Sequence, residues 1–249
     1  MSFTDLFSEK SATYARARPT YPDSLYGLIA DAAPARDRAW DCATGNGQAA
    51  IGLARHFGAV EATDASDQQV ANAIAATGVS YSVQPAESTR FEPGSFDAVC
   101  IAQALHWFDL ERFYAEVRRV LKPGGVIAAW GYGWTKVSPE VDRALERHLL
   151  AKIKPYWPEQ NALLIAGYRT VPFPFEPIAT PSFAIEVLWT LDQLLTYAET
   201  WTATRRYLAE HGRGILDETS NAVRKAWGDE DSRVATMDLA LRCGRHVLP

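Results

Sequence analysis

Two glycines and an aspartate carry the first chemical signal in this chain. Gly45 and Gly47 end the stretch Trp40-Asp41-Cys42-Ala43-Thr44-Gly45-Asn46-Gly47, and Asp64 closes Ala59-Val60-Glu61-Ala62-Thr63-Asp64. Glycines at this spacing let a turn fold tightly and approach a ligand with no Cβ in the way. A carboxylate at the end of the next strand can accept both hydroxyls of a ribose. Gly45, Gly47 and Ala50 also satisfy the G-x-G-x-x-A form of the dinucleotide fingerprint. The turn and Asp64 therefore specify a nucleoside-containing cofactor without naming it.

For that turn to work, it must leave a strand and enter a helix. Arg38 to Ala43 reads as a short buried strand, too brief for a helix. From Gln48 the period becomes helical, with Ala50, Leu53, Ala54 and Phe57 on one face. Such a unit presents free N–H groups beside the end of a parallel strand, where nucleotides bind in open α/β sheets. Ser66 and Gln69 then form an S-x-x-Q capping box for a helix from Asp67 to about Ala76. Ser80 to Gln84 is a third strand. Ser95-Phe96-Asp97 opens a fourth, Ala98 to Ala102, whose unbroken apolar run suits a central parallel strand. It exits into Gln103-Ala104-Leu105-His106-Trp107-Phe108-Asp109. Phe113, Val117, Val120 and Leu121 mark the next helix, and Lys122-Pro123-Gly124-Gly125 stops it. Val126 to Trp130 is the fifth strand, leading into Gly131-Tyr132-Gly133-Trp134. Five such alternations predict a doubly wound sheet. The right-handed crossover then brings Asp41, Asp64, Glu87, His106 and Trp130 to its carboxyl edge.

The flanks extend this core. Pro19 and Pro22 interrupt any continuous helix, and Pro22 opens one with Leu25, Leu28 and Ile29 as its stripe. The residues before it are either a packed linker or a lid whose Tyr14 and Arg18 reach the cofactor or substrate. Ser138-Pro139 caps a helix to about Lys152, and prolines from Pro155 to Pro177 break up the insertion that follows. Ser182 to Leu188 is a sixth strand, Thr190 and Gln193 form a second capping box, and Ala235 to Cys243 alternates as an antiparallel strand would. The predicted fold is α/β, doubly wound and Rossmann-like. Its seven-stranded sheet is mostly parallel, with an antiparallel last strand and a helical cap insertion. A single domain over 1–249 divides into a lid and first helix (1–35), a cofactor-binding core (36–134), a cap (135–181) and the elements completing the sheet (182–249).

Composition removes other classes. A formal charge of −5 argues against nonspecific nucleic-acid binding, which needs clustered Lys and Arg. No window approaches the ~20 apolar residues of a spanning helix, and the N-terminus has no secretory pattern. Cys42, Cys100 and Cys243 are few and scattered, as buried thiols in a reducing cytoplasm would be. Neither C-x-x-C nor H-x-x-x-H occurs, so no metal site is expected.

Asp41-x-x-x-Gly45-Asn46-Gly47, Asp64, Ala86-Glu87, Ser95-Phe96-Asp97 and Lys122-Pro123-Gly124-Gly125 together resemble the class I S-adenosylmethionine-dependent methyltransferases of the type 11 domain. Tyr14 through Pro22, Gln103 through Phe108, and Thr190 to Gln193 with Thr200-Trp201 are similar to the small-molecule branch that includes trans-aconitate-type enzymes. The resemblance implies S-adenosylmethionine as cofactor and S-adenosylhomocysteine as product. Asp41 and the turn Ala43, Thr44, Gly45 and Gly47 would then pass under the methionine part. Asp64 would hold the ribose diol with Ala65 beside the adenine, Ala86 and Glu87 would meet the adenine edge, and Gln103 would lie beside the methionine. Two positions depart from the family. Ala43 replaces a common glycine, a change alanine tolerates while φ stays negative. Pro85 replaces an acid that commonly binds the adenine amino group, leaving that contact to Glu87.

Methyl transfer from a sulfonium is an in-line displacement, governed by alignment, and needs a base only where the nucleophile carries a proton. His106 is placed to be that base or to be a packed histidine shaping the pocket. Trp107, Trp130 and Trp134, at the ends of strands four and five, are expected at the mouth of an apolar acceptor site. Arg16 and Arg18 could pair with a carboxylate. The expected partner is thus a small-molecule acceptor, with a carboxylic acid favoured, on a cytoplasmic monomer or weak homodimer. Two alternatives share the same residues: a nicotinamide oxidoreductase, and a methyltransferase-like binding protein without turnover.

Overall fold

The computed structural model describes residues 19–247. Tyr14, Arg16 and Arg18, the proposed lid contacts, lie outside them. Helix α1 (Asp23–Ala32) starts behind Pro22 and buries Leu25, Tyr26, Ile29 and Ala30. Strands β1 (Arg38–Cys42), β2 (Ala59–Asp64), β3 (Val79–Val83), β4 (Phe96–Ala102) and β5 (Leu121–Tyr132) are parallel and lie in the order β3-β2-β1-β4-β5. They alternate with α2 (Gln48–Leu53), α3 (Asp67–Ala71) and α4 (Leu110–Val120). The strand order reverses after β3, because β4 pairs on the other side of β1, and the crevice between β1 and β4 is the switch point where open α/β sheets bind ligands.

Alternation along the strands splits the interior into two layers. Ala39, Ala98, Cys100, Ala128 and Trp130 face one core, which α1 and α2 cover. Trp40, Cys42, Val99, Ile101, Ile127 and Ala129 face the other, covered by Phe113, Val117 and Val120 of α4. Both faces of the central strands are dry, which is why β4 reads as an unbroken apolar run. Each large side chain buried here contributes ~1.5–3 kcal/mol. Asp97 pins the lower end of β1 to β4: its carboxylate accepts the amides of Asp37 and Arg38 and an ion pair from Lys122 at 2.8 Å.

Beyond β5 the chain forms α5 (Pro139–Leu145), capped by Ser138, which runs through a π-helical turn (Glu146–Leu150) and a final turn Ala151–Ile153. Then come α6 (Asn161–Ile165), β6 (Glu176–Pro177), β7 (Phe183–Trp189), α7 (Leu191–Glu199), α8 (Thr202–His211), α9 (Gly214–Trp227) and β8 (Arg233–Arg245). The capping box of Thr190 and Gln193 is present. β8 runs antiparallel to β5 along one edge and pairs with β6 and β7 along the other. Among the described residues it is the one strand opposed to the rest, as the sequence predicts, and the short β6 makes their sheet eight-stranded where seven were expected.

Two boundaries differ from the sequence reading. Lys122-Pro123-Gly124-Gly125 does not precede β5 but lies within it, as a bulge between the pairs Phe96–Leu121 and Ala98–Val126. His246 holds it by pairing with Gly124 and Gly125. Helix α3 stops at Ala71, short of Ala76, because Ile74 leaves the helical path to bond Asn46 and Tyr81 instead. The proline-rich return from 171 to 177 is irregular yet firmly held. Tyr114 and Arg118 of α4 donate to the carbonyls of Pro172 and Pro174, and Arg118 and Arg242 lie over the rings of Phe175 and Phe173.

Candidate active site

The turn after β1 is built from left-handed backbone: Ala43 at φ +56°, Gly45 at +57° and Gly47 at +91°. Ala43 therefore does not stay at negative φ, and its Cβ is carried at a cost that glycine would not incur. The turn is tied to β2 twice, by the Thr44 amide on the Thr63 carbonyl and the Gly45 amide on Asp64 Oδ2, each at 2.9 Å. Asp64 Oδ1 takes the Ser66 amide, also at 2.9 Å. Asp64 thus organises both loops at the crevice. Ala65 beside it is exposed.

Asp41 is fully buried beneath this turn. Thr44 Oγ1 donates to its Oδ2 at 2.5 Å, while Oδ1 has no hydrogen-bond partner among the described residues. Burial pushes its carboxyl up to about 7; Thr44 and the Ala50 amide, which stays outside hydrogen-bonding geometry, oppose that rise, and Asp64 adds to it. A buried carboxylate with one orphaned oxygen suits an ammonium or N–H group arriving from the crevice.

On the neighbouring edge, Ala86 is buried and Glu87 is half-buried, with Glu87 Oε1 accepting the Asp109 amide at 3.1 Å. Glu87 therefore also anchors the start of α4. Pro85 is exposed.

At the end of β4, Gln103 sits at φ +60° with its amide on the Trp130 carbonyl at 2.8 Å. Its Oε1 and Leu164 of the cap both crowd the space a Cβ on Gly131 would need. One turn later, Leu105–Trp107 forms a short 3-10 segment that buries His106. His106 Nδ1 lies 3.0 Å from the Tyr168 hydroxyl, and burial alone pushes its imidazole down to about 4. Gln103, Gly131, His106, Leu164 and Tyr168 form one patch where the cap meets the strand ends. Sequence reasoning placed Tyr168 and Leu164 in the cap but named neither as a site residue, since they are remote along the chain and fit no motif.

The tryptophans separate. Trp107 is half-buried against the His106 ring, with centroids 4.7 Å apart. Trp134 meets Trp157 and Trp201 edge-on, each at 5.8 Å, beneath the cap. Trp130, expected at the pocket mouth, is wholly buried against Tyr21 and Tyr26, because its side chain takes the face of β5 that α1 covers. Several buried polar atoms in this layer lack a partner among the described residues, among them Trp130 Nε1, Thr135 Oγ1, Trp157 Nε1 and Thr204 Oγ1. Cys42, Cys100 and Cys243 are buried free thiols. Among the described residues no His, Cys, Asp and Glu cluster could hold a metal, and no helix is long and apolar enough to cross a membrane.

Comparison with known proteins agrees with this geometry. A family model described as a methyltransferase domain matches residues 40–129. A candidate methyltransferase of Dictyostelium discoideum is 29 % identical over 241 residues, covering 95 % of this chain and 92 % of that protein. A solved structure from Bacillus halodurans, 18 % identical with a TM-score of 0.52, covers 91 % of this chain and 99 % of its own and shares the fold. Another, described as a candidate type II methyltransferase from Anaeromyxobacter dehalogenans, superposes with a TM-score of 0.87 over 93 % of this chain and 99 % of that one. Its sequence identity of 42 % goes well past a shared fold. That likeness decides against the oxidoreductase alternative and makes this chain a member of the class I S-adenosylmethionine-dependent methyltransferases.

Proposed function

We propose that this enzyme methylates a small-molecule acceptor seated between the ends of β4 and β5 and the cap, and that the acceptor atom is a carboxylate oxygen. One observation carries the reading: Leu164 and Tyr168 of the cap close directly on Gly131, Gln103 and His106. The cap therefore reaches the strand ends where the transferred methyl must lie, as an acceptor site requires.

S-adenosylmethionine supplies an electrophilic methyl on a sulfonium. The residues present fit it: the orphaned Asp41 Oδ1 suits its ammonium, the left-handed turn from Ala43 to Gly47 admits its methionine part, and Asp64 presents a carboxylate at the end of β2, where a ribose diol would lie. Ala65, Ala86 and Glu87 line the adenine side, and Gln103 stands between the methionine part and the acceptor.

The carboxylate is favoured by what His106 lacks. Its burial, with a pKa near 4, makes it a weak base for a hydroxyl or ammonium nucleophile. A carboxylate is already ionised at neutral pH. The resemblance to trans-aconitate-type enzymes points the same way. Trp134, Trp157 and Trp201 supply an apolar wall for the body of such an acid.

Incubation with S-adenosylmethionine and a panel of carboxylic acids, phenols, thiols and amines, read as S-adenosylhomocysteine, tests this. Turnover confined to acids is the expected result. Turnover confined to amines or phenols would overturn the carboxylate, and failure to bind S-adenosylhomocysteine would overturn the function itself.

A further inference from the structure

Tyr168 is completely buried, and His106 Nδ1 is the one partner of its hydroxyl among the described residues. Two proton arrangements fit their 3.0 Å separation. If His106 donated from Nδ1, the tyrosine O–H proton would have no acceptor, and a buried donor left unpaired is costly. If Tyr168 donates to Nδ1, both groups are satisfied and the ring proton sits on Nε2. The Tyr168 backbone is fixed as well. Tyr168 takes φ +55° after Gly167 at +65°, and Arg242 of β8 donates to its carbonyl at 2.7 Å.

We propose that Tyr168 is a positioning residue that fixes His106 as its Nε2–H tautomer, so that His106 donates a hydrogen bond to the methyl acceptor and does not take a proton from it. This rests on reading the cap–strand junction as the acceptor site. The Nε2–H group binds the carboxylate oxygen that does not attack and orients the other toward the methyl. That second oxygen uses a lone pair to form the new O–C bond, the S–C bond breaks with its pair on sulfur, and no proton moves. The ring contacts Tyr168 from the cap and Trp107 from its own turn, and burial is what lowers its basicity.

Ring-nitrogen NMR of histidine-labelled protein at neutral pH tests the tautomer without an acceptor, with His106→Gln assigning the signal. The expected ring is neutral with Nε2 protonated in the wild type, and a mixture of tautomers in Tyr168→Phe. A wild-type ring protonated on Nδ1, or on both nitrogens, overturns the proposal. With an acceptor in hand, Tyr168→Phe should lower kcat roughly ten-fold, the worth of one oriented hydrogen bond, with S-adenosylhomocysteine affinity unchanged. The wild-type kcat should stay flat from roughly pH 5 to 8, and a kcat that climbs with a titrating base in that window would refute the donor role. An enzyme inert toward every acceptor would sink the proposed function while leaving the tautomer measurement intact.

Discussion

The Tyr81 ring occupies the space that a Cβ on Gly47 would need, and the Tyr81 hydroxyl is held there by the Ile74 carbonyl at 2.8 Å. Gly47 itself sits at φ +91° as the residue opening α2. Two independent constraints, strain and space, therefore demand glycine at this position.

Gly47→Ala should destabilise the fold by about 1–3 kcal/mol from backbone strain, with a further loss from the clash. In a Tyr81→Ala background the clash disappears and only the strain remains. Urea unfolding of the two single variants and the double variant measures this. Additive losses would show that Tyr81 and Gly47 do not contend for the same space.

Asp64→Asn and Asp64→Ala should both weaken S-adenosylmethionine binding, at ~1.5–3 kcal/mol for each charge-assisted hydrogen bond lost. The asparagine keeps one oxygen for the Gly45 or Ser66 amide, so it should disturb the free enzyme less. Calorimetry on both variants decides. S-adenosylmethionine should also raise the wild-type Tm where NADH does not, and unchanged affinity in both variants would remove Asp64 from the ribose site.

Leu164→Ala should raise the acceptor KM about ten-fold through lost apolar contact, while leaving S-adenosylhomocysteine affinity unaltered. Substitutions from Tyr156 to Tyr168 should likewise spare S-adenosylhomocysteine affinity. Equal losses of cofactor and acceptor binding would end the division of labour between the core and the cap.

His106 and Asp41 should give opposite pH signatures in stability. Burial lowers the His106 pKa from 6.5 to about 4. As pH falls, the unfolded chain takes the proton first, so the stabilisation from this group is complete above its ordinary pKa and is lost toward pH 4, amounting to about 3 kcal/mol. Asp41 is raised from 3.8 to about 7, so its stabilising contribution is present below its ordinary pKa and is lost as pH rises toward 7. The stability gap between wild type and His106→Gln should therefore narrow on acidification, and the gap to Asp41→Asn should narrow on the alkaline side. Thermal unfolding at several pH values reads both, and parallel curves would mean that neither group is perturbed.

Local sequence was enough to determine the strand–turn–helix unit at Asp41 to Gly47, the apolar β4, the capping residues Ser66, Ser138 and Thr190, and the alternating β8, because each rests on contacts within a few residues. Steric limits on φ, period and caps act at that range, and they also carry the family likeness. What lay between distant segments was not legible. Lys122-Pro123-Gly124-Gly125 has the composition of a helix stop, yet the flanking pairs Phe96–Leu121 and Ala98–Val126, with His246 on Gly124 and Gly125, make it a bulge within β5. Trp130 looked like a pocket residue by its place at a strand end, but the pleat turned it into the core against Tyr21 and Tyr26. The junction of His106 with Tyr168, and of Gly131 with Leu164, exists only because the cap folds back over the carboxyl ends of β4 and β5. No local pattern encodes that return, since its energy comes from apolar burial and from clamps such as Arg242 on Tyr168 that span the whole domain.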